Sequence, residues 1–300
     1  METGNLKMRS ARAVVALISM LAYAPGLKKL LCMCVLLAGS AQAFKVYVFT
    51  DMEGISGVAC SEQVMGARAD EGKKLMVEDM NACVAGCFDA GATEVVVRDG
   101  HGGGNNIDPT LLDPRARLIQ GATPGVRFKD FDNSEALILL GYHAMALTPN
   151  GVLAHTYSSA SIQGMWLNGR EVGEIGVDAA IASEHKVPVV LVTGDDKTVA
   201  EARAWLPQVV VCETKRGTGW QSAELMPVEQ VRLLIRQKTA EALRCRKEVA
   251  LLAVTYPATL RWDYLPKGSL RTHNLAFKPV AKPRKVEKTG DSVERLLVGK

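Results

Sequence analysis

Five side chains in this 300-residue sequence stand at the ends of apolar runs, where chemistry is commonly placed. Asp51 and Glu53 follow the run at 44–50, Asp99 and His101 follow 93–98, and His143 follows 136–140. On an extended chain, side chains two apart point the same way, so each of the first two pairs can address one site. Glu174 opens a helical segment shortly after a turn at Asn168-Gly169 and can reach the same edge. Imidazoles mixed with carboxylates suit zinc, or manganese and iron where oxygen ligands predominate. Five or more such ligands exceed what one tetrahedral zinc uses. Two metals bridged by a carboxylate fit the count, and such pairs activate water for hydrolysis.

Blander roles compete for the same residues. A carboxylate after a strand often caps the next helix, and a lone histidine is often only a hydrogen-bonded structural residue. Asp195 and Asp196 are adjacent and so diverge; capping the helix that starts near 197 is the better role for them. Gly102-Gly103-Gly104 has the composition of an anion nest, but no helix start clearly follows it and no Walker pattern is present.

The positioning elements are read from periodicity. Residues 44–50, 93–98, 136–140, 187–192 and 209–212 are expected as strands, with 193–196 as a loop. Helices are expected at about 71–90, at 174–184 and at 197–205. A hairpin is expected over 166–172 around Asn168-Gly169. Apolar strands alternating with amphipathic helices mean an α/β fold, a mostly parallel sheet with helices on both faces. In such sheets ligands sit at the carboxyl ends of the strands, which is where the acids and histidines fall. The metal-binding core is expected over 44–216. A smaller C-terminal α+β lobe follows at 217–277, with a helix at 228–243 and a strand at 249–255, and a basic tail at 278–300.

The formal charge of +4 lies wholly in the first 43 residues, where Lys7, Arg9, Arg12, Lys28 and Lys29 oppose Glu2. The rest sums to zero, which argues against a nucleic-acid binder. Aromatic residues at 5% make a stacking platform for bases or glycans a poor reading. Lys28-Lys29, a short apolar run at 30–38 and Ala41-Gln42-Ala43 describe an export signal cut after Ala43, with Met20 as the start. The mature chain is then expected in the periplasm or secreted, free of the membrane. A second apolar stretch at 13–24 makes a membrane anchor the alternative, although neither stretch has the ~20 apolar residues of a span. Beyond Ala43 remain Cys60, Cys83, Cys87, Cys212 and Cys245, an odd and irregular set that is no disulfide framework.

Asp51-Met52-Glu53-Gly54-Ile55-Ser56-Gly57 resembles the M55 family of zinc D-aminopeptidases. The resemblance continues in order through Asp99-Gly100-His101-Gly102, Gly141-Tyr142-His143-Ala144, Ala154-His155, the stretch from Asn168 to Glu174, and Gly194-Asp195-Asp196. It covers about 44–261. It implies two zinc ions per chain held by Asp51, Glu53, His101, His143 and Glu174. Asp51 would bridge, with Glu53 and His101 on one ion and His143 and Glu174 on the other. His155 would be the catalytic residue, as base or nucleophile. The implied activity is removal of N-terminal D-amino acids from short peptides, inside a homo-oligomeric ring, a decamer, whose cavity excludes folded proteins.

Two rivals remain at this point. One is another metal-dependent amidohydrolase acting on peptidoglycan-type peptides. The other is a periplasmic peptide-binding module without catalysis, whose signature would be missing ligands. A phosphoesterase is disfavoured because Arg98 and Arg170 are the only basic residues near the motifs. The export signal makes a direct prediction. N-terminal sequencing of the exported protein should read Phe44-Lys45-Val46; an intact membrane-embedded N-terminus would identify an anchor instead.

Overall fold

The computed structural model describes residues 43–266 and 282–299. The expected export signal, Ala43 apart, lies outside the described residues. The elements in chain order are β1 (Lys45–Thr50), α1 (Ser61–Met65), α2 (Ala69–Asp89), β2 (Glu94–Asp99), β3 (Ala116–Ile119), β4 (Ser134–Leu140), β5 (Ile162–Leu167), β6 (Arg170–Glu171), α3 (Glu174–Glu184), β7 (Val189–Asp195), α4 (Asp196–Trp205), β8 (Val210–Gly219), β9 (Ser222–Leu225), α5 (Val228–Arg244), β10 (Ala258–Tyr264), β11 (Arg284–Gly290) and α6 (Val293–Val298). Among the described residues no helix is long and apolar enough to cross a membrane, and all five cysteines are free.

Seven strands form the main sheet in the order β3-β2-β1-β4-β7-β8-β9. All neighbours run parallel except β9, which returns antiparallel to β8. The central strands are apolar on both faces because both are covered. Val46 and Val48 of β1 join a core with Met76, Met80 and Cys83 of α2 and Ile235 of α5. Tyr47 and Phe49 join a second core on the opposite face, with Ile175 and Ala179 of α3 and Ala202 of α4. That second core also takes in the smaller antiparallel sheet, ordered β11-β10-β5-β6, through Met165, Leu260 and Trp262.

The α/β architecture and the helices agree closely with expectation, and several differences have physical causes. β3 and β9 are edge strands of four residues each, half-buried at most, and too short to show a period. The loop expected at 193–196 is strand up to Asp195. Gly194 permits this: a Cβ there would lie 2.3 Å from the Tyr142 carbonyl oxygen of the neighbouring chain segment. Residues 249–255 are not a strand. Leu252 and Val254 do pack on the second core, which explains the alternation, but no neighbouring strand bonds their backbone, and pairing begins only at Ala258. The smaller part expected after 217 is present as the antiparallel sheet, to which this segment gives β10 and β11. α5 lies against α2 on the main sheet, while β10 pairs with β5. The expected basic tail is folded in part: β11 pairs along all of β10, and Val293 and Leu296 of α6 are buried. Its lysines mark a sheet edge, where charge discourages further pairing.

β1 is the point where chain order reverses, with β2 to one side and β4 to the other. The crossing is tight. Gly54 N donates to Gly141 O at 2.8 Å, and a Cβ on Gly54 would fall 1.9 Å from Tyr142 O and 2.6 Å from Gly141 C. These are backbone atoms and cannot swing away. Gly54→Ala is therefore expected to destabilise the fold by about 3 kcal/mol or more, measured by urea unfolding. A loss below about 0.5 kcal/mol would mean that the two loops separate freely.

Candidate metal centre

β1, β2 and β4 end level, because Thr50 pairs with both Asp99 and Leu140. The residues that follow leave the sheet side by side. The Asp51 carboxylate is divided between the two flanking strands. Its Oδ1 lies 2.9 Å from His101 Nδ1, and its Oδ2 lies 3.2 Å from His143 Nε2. Glu53 joins the first side, with Oε2 3.2 Å from His101 Nδ1. Glu174, the first residue of α3, joins the second, with Oε1 3.4 Å from His143 Nε2 and 3.9 Å from His155 Nε2. The rings of His143 and His155 stack at 3.9 Å. All six candidate residues thus converge.

His143 tests whether a cation fits. Its Nδ1 donates to the Ala144 carbonyl at 3.0 Å, which leaves Nε2 to take a metal or a proton. Nε2 is buried, faces two carboxylates and makes no hydrogen bond. A ring nitrogen placed so, with the other fixed by a backbone carbonyl, is how a metal-binding histidine is held. His155 is oriented alike, its Nδ1 donating to Leu153 O at 2.9 Å. Asp51, Glu53 and His143 offer ligand atoms within 4.8 Å of one another, and so do His143, His155 and Glu174.

The electrostatics favour cations. Burial opposes charge on His101, but Glu53 and Asp51 outweigh it and carry its pKa up to about 11. Burial likewise opposes charge on His143, and Asp51 and Glu174 again outweigh it and raise its pKa. Burial by itself would raise Asp51 and Glu174, yet the imidazoles hold both below the usual carboxylate range. A metal bound here would compete with protons for the same nitrogens.

The loops around the centre are held from behind. Lys215 of β8 is wholly buried and donates Nζ to the carbonyls of Glu53 (2.5 Å) and Ile55 (2.8 Å). Thr214 donates to the carbonyl between them, that of Gly54. Ser56 closes the turn on the buried Asp79. The His155 loop is strained: Leu153 and Tyr157 on either side sit at φ of 51° and 55°. Such residues cost about 1–3 kcal/mol each and persist where surroundings dictate them. Here the surroundings are Leu153 N to Trp220 O, His155 N to Ala144 O, and Tyr157 N to Glu174 Oε1.

Other candidates fall elsewhere. Asp99 turns from the centre to accept from Asn106 and Ile107 and shapes the glycine-rich turn. Asp195 caps α4, accepting from Thr198 N. Arg98 donates to the carbonyls of Asp99 and Gly121, and Arg170 stacks on Trp205; neither lines the cleft over the centre. That cleft, about 680 Å³, is floored by Asp51, Glu53, His101 and Glu174, with Met65 and Trp220 on its walls. Its guanidinium is Arg127, which no motif reveals because it lies in an irregular loop. Asp178 had a legible sign, an acid one turn from Glu174 on an otherwise apolar helix. Glu201 had the same sign, an acid on the buried stripe of α4; burial lifts its pKa to about 7 while it accepts from Met145 N.

Comparison with known proteins places this geometry. Residues 44–294 match the M55 peptidase family model, described as D-aminopeptidase. A D-aminopeptidase of Bacillus subtilis is 33% identical over 235 residues, spanning 77% of this chain and 85% of the relative. A solved structure, a zinc-dependent D-aminopeptidase of Bacillus subtilis described as a self-compartmentalizing protease, superposes with a TM-score of 0.76 at 29% identity. It covers 85% of this chain and 97% of its own.

Competition between protons and metal sets a pH dependence. Binding a cation must displace protons from His101 and His143, so affinity rises with pH. Zinc affinity measured against a competing chelator should climb by about one to two orders of magnitude per pH unit between roughly pH 6 and 8. A flat profile would show that these nitrogens are not ligands.

Proposed function

This chain belongs to the M55 family of D-aminopeptidases, and from that premise we propose that it is a dinuclear zinc enzyme removing N-terminal D-residues from short peptides. The observation that supports two ions is the divided Asp51 carboxylate, one oxygen toward His101 and the other toward an unbonded His143 nitrogen. Asp51 would bridge, Glu53 and His101 would complete one position, and His143 and Glu174 the other. When bound, zinc supplies a Lewis acid that polarises the scissile carbonyl and makes the attacking water more acidic.

The chain's own groups do the rest. With Asp51, Glu53 and Glu174 engaged as ligands, the substrate's free α-amino group would be received at their end of the cleft as the neutral amine. His155 stands at the cleft wall with Nε2 turned toward Glu174 and Nδ1 tied to Leu153 O. An imidazole held this way can take a proton from water and return it to the departing amine. The tie to Leu153 keeps Nε2 as the working atom throughout.

Two further expectations belong to this proposal. The structural relative is described as self-compartmentalizing, which supports a homo-oligomer, with a decamer as the expected ring. The export signal read in residues 1–43 supports a periplasmic or secreted enzyme acting on short peptides there.

Purified protein should hold two zinc ions per chain by elemental analysis and hydrolyse D-Ala-D-Ala faster than L-Ala-L-Ala. His155→Ala should keep both ions and the fold but lose about 10²–10⁴-fold in kcat. A variant that loses zinc would make His155 a ligand, and near-normal turnover would make it structural. At most one tight metal in active enzyme would rule out the dinuclear reading.

A further inference from the structure

We propose that Arg127 reads a carboxylate on the substrate, the free C-terminus of a dipeptide whose amino end lies at the metal centre. The proposal rests on the aminopeptidase reading and adds the substrate's second charge to it. Among the described residues Arg127 is the one arginine or lysine lining the cleft. Its guanidinium lies 4.4 Å over the Phe49 ring and 5.3 Å from the Tyr157 ring. Asp178 accepts along one edge, from Nε at 2.8 Å and Nη2 at 2.7 Å, and Tyr142 donates to the same carboxylate at 2.6 Å. The Arg127 backbone N–H is held by Glu294. The fork is thereby fixed before any ligand arrives.

Among the described residues the other edge makes no hydrogen bond. Nη2 stands 3.6 Å from Glu174 Oε2, beyond a hydrogen bond, and Nη1 has no hydrogen bond among the described residues. A planar guanidinium edge matches a carboxylate through two parallel N–H···O bonds. Asp178 already offsets much of the charge, so the other edge discriminates by geometry: a carboxylate accepts both bonds, a neutral amide oxygen only one side of the fork.

The spacing selects the length of the ligand. Arg127 adjoins Glu174, a member of the metal centre, and also lines an adjoining cavity of about 440 Å³ with Phe49 and Tyr157. One peptide residue spans about 3.5 Å. With the amino end at the metal centre, the carboxylate of a dipeptide falls at the next group along, which is the fork. The leaving residue's side chain has the adjoining cavity to enter. A longer peptide presents an uncharged amide at the same place.

The test is calorimetric binding of a reduced-bond analogue of D-Ala-D-Ala, with methylene in place of the scissile carbonyl, to the zinc-loaded full protein. The analogue is used as free acid and as C-terminal amide, so binding is read whether or not the protein hydrolyses peptides. Wild type should bind the acid at least about tenfold more tightly than the amide. Arg127→Gln should bring the ratio to about one, and Arg127→Lys should leave it between the two. In hydrolysis the same preference should appear in KM and not in kcat. Equal binding of acid and amide by wild type overturns the proposal, and needs no variant to fold. A preference that survives in Arg127→Gln of normal zinc content overturns it as well. If the acid preference is present and depends on Arg127 while neither peptide is cleaved, the carboxylate site stands and the aminopeptidase reading fails.

Discussion

One buried carboxylate organises this protein. Asp51 leaves the middle strand of three and offers one oxygen to each neighbour's histidine. A carboxylate buried alone would be costly enough to stay protonated; here the imidazoles more than offset that cost. The arrangement is possible only if β2 lies on one side of β1 and β4 on the other, which is the reversal of strand order in the main sheet. It also demands that the three strand ends be level and that the loops after β1 and β4 approach within backbone contact, which is why Gly54 and Gly141 carry no side chains. Topology, register and glycine placement thus answer to a single group.

The charges behind the centre follow from the same demand. A loop that must present Asp51 and Glu53 in fixed directions cannot bond its own carbonyls regularly, and buried carbonyls need donors. Thr214 and Lys215 supply them from β8, three carbonyls in succession. The use of lysine is informative. Burial pulls its pKa down to about 8, against the pull of Asp195, Asp79 and Glu53. A fixed ammonium beneath a group of acids supports the loop and moderates their mutual repulsion at once. Asp178 and Arg127 repeat the device on the opposite face, one acid and one base locked together beside Glu174.

What the sequence revealed and what it hid divide along this line. Asp51, Glu53, His101 and His143 were legible because they terminate apolar runs, and a run's end in a parallel sheet has a known place. Glu174 was legible from the helix it opens. Asp99 looked the same and is not part of the centre, since side-chain direction after a strand depends on the following turn; here that turn takes both carboxylate oxygens. Arg127 was invisible because its position comes from tertiary contacts alone, Phe49 beneath and Asp178 beside it. The strand at 249–255 was misread because alternation reports one apolar face and says nothing about whether a backbone partner exists. The C-terminal segment was misread for the converse reason. β11 is nearly all polar or charged, so composition suggested a tail, whereas β10 supplied a partner for every residue.

The division between strand ends and loops also separates two properties of the enzyme. The centre's acids and two of its imidazoles come from short strand extensions and a helix start, elements whose positions are fixed by both apolar cores. His155 and Arg127 come from loops, and the His155 loop sits in strained backbone flanked by Leu153 and Tyr157. That strain is offset by bonds to Trp220 in the turn between β8 and β9, to Ala144 in the loop after β4, and to Glu174 at the start of α3. Under the proposed roles, a change in the loops would alter proton transfer or substrate choice while the acids stay in place. A change at the strand ends disturbs the sheet's central crossing and every group above it. Under the proposed function the metal donors stand on the strand ends and a helix start, while the groups that would meet the substrate stand on loops held in place by tertiary contacts.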